Sequence, residues 1–145
     1  MVVCGDSAYY SADVTAAARR AGAEMSVTVK MTKPVKDAIR RIPETAWTAI
    51  KYPHAIWDED SGTWISAAEF AEIDFAAFPS KKTTDQVAGR LIVHRVPELN
   101  PATLARGQEA LFDMWRYHGL FTTISAQTLD TVAADKMHRA HAIIE

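Results

Sequence analysis

Two short stretches hold residues whose types and spacing could do chemistry. The first is VVCGDSAYY, in which an apolar run, Val2 to Gly5, gives way to Asp6 and Ser7. A carboxylate directly after a short buried strand stands at the carboxyl edge of a sheet, where open α/β sheets usually hold their ligands. The second is HRAHAIIE, which sets His138, His141 and Glu145 at i, i+3 and i+7. On a helix these positions line up along one face over two turns, so imidazoles and carboxylate could address one phosphate or one metal ion. Each has a plainer reading. A strand-end Asp is more often a cap or turn former than a catalyst, and a polar helix face is ordinarily solvated, with Asp135 pairing to His138 or Arg139. Cys4 could be a nucleophile with His94, His118 or His138 as its base, but a cysteine inside an apolar strand is ordinarily a small buried hydrophobe with a raised pKa.

The elements that must position these residues follow from local pattern. Val2 to Gly5 predicts a strand, Asp13 to Ala21 a helix closed by Gly22 as a left-handed cap, and AEMSVTVKM a second strand, with Met25, Val27, Val29 and Met31 alternating against Ser26, Thr28 and Lys30. Thr32 as cap and Pro34 in the first turn start a further helix whose apolar face is Val35, Ala38, Ile39 and Ile42. Residues 1–42 thus form a β-α-β-α piece. From Pro43 the character changes. WTAIKY, HAIW, TWIS, AEIDFAAF, AGRLIVHRV and LFDMWRYHGLFTTI are short, aromatic or β-branched, and separated by turn chemistry, which predicts an antiparallel sheet from roughly Trp47 to Ile124 within a β-rich segment 43–124. WDEDSGTW reads as a hairpin turning at Ser61 and Gly62, while Ser66 followed by Glu69 could instead cap a short helix. From Gln127, within the final segment 125–145, Leu129, Val132, Ala133, Met137, Ala140 and Ile144 make an amphipathic stripe directed at a core. That stripe runs to the last residue without a cap, which leads to the expectation that the chain is truncated there. Trp47, Trp57, Trp64 and Trp115 are expected mainly in the core, although an exposed one beside Arg or Lys would make a stacking platform for bases.

Composition bounds the function classes. With 145 residues, 48% hydrophobic and 23% charged, the chain is long enough for one ordinary core and too apolar for wholesale disorder. A formal charge of -2 gives no global pull toward polyanions. Basic residues do cluster locally, in VKMTKPVKDAIRR (Lys30, Lys33, Lys36, Arg40, Arg41) and around Lys81, Lys82, Arg90 and Arg95. One cysteine excludes an internal disulfide and fits a reducing compartment, and no apolar run approaches a membrane span, so the cytoplasm is expected and a membrane partner is not. Neither a Gly-rich phosphate loop nor a paired-cysteine metal motif occurs.

Taken together, V-V-C-G-D-S-A-Y-Y, H-R-A-H-A-I-I-E and the internal stretch YPHAIWDEDSGTWISAAE resemble the DDE transposases of bacterial insertion sequences. The resemblance is to actinobacterial-type members whose RNase H-like core is interrupted by a β-rich insertion. It implies an α+β (α/β) fold: a partial RNase H-like core over 1–42, an antiparallel β insertion over 43–124, and over 125–145 the helix that returns to the core with the last catalytic acid. It implies that Asp6 and Glu145 are the second and third acids of a triad that binds Mg²⁺ or Mn²⁺ and drives cleavage and strand transfer of double-stranded DNA, with a homodimer possible in the complete enzyme. His138 stands at the family's Tyr position and His141 at its Arg position. With Arg139, Lys30, Lys33, Lys36, Arg40 and Arg41, they are the expected DNA or phosphate contacts. The first Asp of the triad, carried by an earlier strand, has no position in this sequence, and neither has the basic residue expected after the Glu. The expectation is therefore a fragment truncated at both ends and inactive alone. Two other readings stand beside it: a DNA-binding remnant without chemistry, and a small α+β domain in which His138, His141 and Glu145 bind Zn²⁺.

Overall fold

The opening apolar run forms β1 (Val2–Gly5), and a single 3₁₀ turn (Ser7–Tyr9) leads from it into α1 (Ala12–Arg20). The computed structural model describes residues 2–58, 63–78, 81–82, 86–97 and 115–142. Ser11 starts α1, its Oγ accepting from the Val14 amide at 3.2 Å. Gly22 ends the turn beyond it with φ 71°, the left-handed conformation that glycine adopts without a Cβ penalty. The alternating segment becomes β2 (Glu24–Val29), and α2 (Lys33–Arg40) follows with Pro34 in its first turn. Thr32 occupies the cap position of α2 by backbone alone, since its side chain makes no capping hydrogen bond.

The chain then forms β3 (Thr48–Asp58), β4 (Thr63–Ala77), β5 (Val87–Pro97) and β6 (Trp115–Thr122), and closes with α3 (Thr131–Ala142). Among the described residues these strands make one six-stranded sheet in the order β1-β2-β6-β5-β4-β3. β1 and β2 are parallel, and every other neighbouring pair is antiparallel. The fold is mixed α/β, and the antiparallel strands continue the β1–β2 sheet because β6 pairs with β2, Val27 opposite Phe121. WTAIKY and HAIW are parts of one strand. Its register shifts between Lys51 and Ile56, and Pro53, which has no N–H to give, is tolerated there because β3 is an outer strand. The helix considered at Ser66 to Glu69 is not formed: those residues belong to β4, where Ala67, Ala68 and Glu69 pair with β3 and Glu69 also with β5. The turn at Ser61 and Gly62 lies outside the described residues, and the register on either side, Asp58 opposite Thr63, is that of a hairpin.

Strand alternation separates the two faces. On one face Met25, Val27, Val29, Leu91, Val93, Phe121 and Phe75 pack with Val35, Ala38 and Ile39 of α2 and Ala18 of α1, which is the main core. On the other, Ile92 and Leu120 pack with Ala134 of α3, and Leu129 lies against them. α3 begins at Thr131, later than the stripe from Gln127 predicts, because Asp130 caps it, Oδ1 accepting from the Ala133 amide at 2.8 Å. Among its described side chains Ala134 and Asp135 are buried, whereas Val132, Ala133 and Met137 are only partly buried. Val132, Ala133 and Met137 of the predicted stripe are therefore less buried than Ala134 and Asp135, and the reason lies in the sheet, whose face toward α3 offers hydroxyls as well as hydrocarbon, while Ala140 and Ile144 lie outside the described side chains. No helix among the described residues is long and apolar enough to cross a membrane.

Candidate active site

Asp6 stands immediately after β1 and is exposed. Its Oδ1 accepts from the Ala8 amide at 2.8 Å, so it caps the 3₁₀ turn. Its second carboxylate oxygen takes no hydrogen bond from a described residue and stays available as a hard oxygen donor. Cys4, two residues earlier, is partly buried, and burial pushes its thiol up, away from the thiolate that a nucleophile requires.

α3 reaches this strand by crossing the sheet. At its start, Thr131 Oγ1 donates to Glu72 of β4 at 3.0 Å, and the same carboxylate accepts from Arg90 Nε of β5. The Arg90 guanidinium also donates through Nη1 to the carbonyls of Ile124 and Leu129, both at 2.9 Å, which fixes the chain entering the helix. One turn on, Ala134 lies over β5 and β6. A further turn brings His138 over β2, where Nδ1 is 3.1 Å from Ser26 Oγ and Nε2 is 2.9 Å from Thr28 Oγ1. The helix also touches β1. Thus His138 does not lie on a solvated face. It is an anchor between α3 and β2, and its ring nitrogens face hydroxyls, which does not favour its use as a zinc ligand.

Ser26 and Thr28 were legible as residues on one strand face, opposite Met25, Val27 and Val29, yet nothing local linked them to a histidine more than a hundred positions away. Glu72 and Arg90 are likewise site-building residues that sequence reasoning did not single out as a pair. The side chains of Arg139 and His141, in the last turn of α3, and all of Glu145 lie outside the described residues. Among the described residues no group of three or more His, Cys, Asp or Glu side chains could hold a metal ion.

The basic residues of the second αβ unit sit on and around α2, whose inward side is Val35, Ala38 and Ile39. Lys30 and Arg41 are exposed, and Lys36 is partly buried. Lys33 Nζ and Arg40 Nη1 share Asp37 at 2.8 and 3.1 Å, and the Lys33 hydrogen bond, with charge from both partners, holds the Asp37 carboxyl below its ordinary range. Arg95, from the other basic cluster, is committed to the fold. It is 3% exposed, its guanidinium lies 4.0 Å from the ring centre of Trp47 and 4.1 Å from that of Trp115, and Glu44 and Glu69 accept from it. These two tryptophans therefore stack on an internal arginine and offer no open platform to bases. The side chains of Trp57 and Trp64, which pair across β3 and β4, lie outside the described ones.

No protein-family model matches the chain, and no curated protein matches it either.

Proposed function

We propose that this chain carries part of the phosphoryl-transfer core of a DDE transposase, with Asp6 and Glu145 as two of its metal-binding acids and double-stranded DNA as its substrate. The observation that carries the reading is the path of α3. The helix that would bear Glu145 is anchored on β2 through His138 and extends to β1, the strand that ends at Asp6. Parallel β1 and β2, with α1 and α2 on one face and α3 on the other, also fit a partial RNase H-like core.

An exposed carboxylate with one oxygen unengaged suits Mg²⁺ or Mn²⁺ rather than a softer ion. When bound, such ions supply the charge that an in-line displacement at a phosphodiester requires. The chain's own contribution is to fix the acids. The hydrogen bond from the Ala8 amide orients the Asp6 carboxylate, and Ser26 and Thr28 set the rotation of α3 at His138.

The test is a crystal of the full chain soaked in Mn²⁺ and measured at an energy where manganese scatters anomalously. Both carboxylates are expected within about 2–2.5 Å of a manganese peak or of waters bound to it, and Asp6→Asn is expected to remove that peak. Carboxylates on unrelated surfaces, or a peak that survives Asp6→Asn, would sink the assignment.

A further inference from the structure

At the strand ends opposite Asp6 lies a group of cations that no carboxylate among the described residues claims. β2 begins there at Glu24 and β5 at Val87, while β4 ends at Ala77 and β6 at Thr122. α1 delivers its last turn to the same rim, and an open groove of about 570 Å³ lies between them, lined by Arg19, Gly22, Glu24, Gln86 and Thr123 among others. Gln86 ties the neighbouring lysines to this groove: its side-chain amide donates to the Lys81 carbonyl at 2.9 Å and its backbone amide to the Lys82 carbonyl at 3.2 Å. Arg19, Arg20, Lys81 and Lys82 are all exposed. Their side chains make no ion pair or hydrogen bond with a described residue, whereas Lys33, Arg40, Arg90 and Arg95 are each committed to a carboxylate of the fold. The acid of the groove, Glu24, accepts from Thr123 Oγ1. Among the described residues, Arg19 on the groove and Arg20, Lys81 and Lys82 next to its lining residues outnumber the one acid there, Glu24, and such a set suits a partner with closely and regularly spaced negative charges.

We propose that this rim binds the phosphodiester backbone of duplex DNA, without regard to sequence and without divalent ions. The inference deepens the proposed function by giving the same partner a second surface, one β1 length from Asp6, about 13 Å along the strand direction. Contacts of this kind position a duplex and do not read it. They release counterions, so affinity falls with salt by a power of about 0.9 for each phosphate engaged.

The experiment is fluorescence anisotropy of a labelled 20-base-pair duplex titrated with the full chain in EDTA between 50 and 200 mM salt. The Lys81→Ala/Lys82→Ala double variant and Arg19→Ala are compared with Lys33→Ala/Arg40→Ala, and circular dichroism checks that each variant is folded. The lysine double variant is expected to weaken binding at least tenfold at 50 mM salt and to lower the salt exponent by about 2, and Arg19→Ala by about 1. The α2 variant is expected to change affinity less than threefold. Absence of binding by the parent chain in EDTA, or groove variants that bind as the parent does, would overturn the proposal. Because every measurement is made without metal, a failed manganese test at Asp6 leaves this result unaffected, and failure here leaves the metal test unaffected.

Discussion

At the scale of single residues, Arg95 shows how a charge can be held almost out of water without loss to the fold. Burial works against its charge, but hydrogen bonds to Glu44, Glu69 and Tyr117 outweigh that and hold its pKa above the ordinary value. The two indole faces supply cation–π contact on both sides of the guanidinium plane. Because Glu69 is two-thirds buried, removing the arginine leaves a carboxylate poorly solvated. Arg95→Ala is expected to cost about 2–4 kcal/mol in urea unfolding, and Arg95→Lys is expected to restore less than half of that, since an ammonium cannot fill the slot between two rings. Glu44 contributes far less, its side chain being 71% exposed. None of this arrangement was legible in the sequence. Trp47, Arg95 and Trp115 come from three separate segments, and only the β5–β6 register and the turn before β3 bring them together.

Elements were legible in proportion to how local their causes are. β1, α1, β2 and α2 follow from alternation, a serine cap, a left-handed glycine and an early proline, all of which act within a few residues. β4 was ambiguous because Ser66 and Glu69 satisfy a capping pattern. The ladder decides the matter, and Glu69 spends its carboxylate on Arg95 across the strands. α3 was legible as a helix but not in its rotation, since the polar residues His138 and Asp135 turn inward to meet a face carrying Ser26 and Thr28. The small cluster under α3 makes it the element most easily released. His138→Ala removes two hydrogen bonds, worth about 1–2 kcal/mol together, and is expected to speed hydrogen exchange across 131–142 by about five- to thirtyfold. Sheet amides in β2 and β6 are expected to keep their protection. Equal acceleration in the strands would show that α3 does not open by itself.

For the molecule as a whole, one sheet of six strands joins the described elements. Two carboxyls, Asp37 beside Lys33 and Glu44 beside Arg95, are held below their ordinary range by those hydrogen bonds. A group whose folded pKa is depressed contributes stability that is complete above its unfolded value and is lost as pH falls through the folded one. Stability is therefore expected to decline on acidification below the ordinary carboxylate range, and in Glu44→Gln to decline less steeply. Urea midpoints at pH 7 and at pH 3 for both chains check this.

The pairing of β2 with β6 also sets a clock. Val29 leaves the ribosome roughly ninety residues before Thr122, which at 5–20 residues per second is an interval of about 5–20 s. Throughout it β1, β2, α1 and α2 can assemble, but the outer edge of β2 has no strand of its own chain to accept. On a crowded polysome that edge can take β6 from a neighbouring chain instead, so the chance of strand exchange depends on translation speed, whatever the final strength of the ladder.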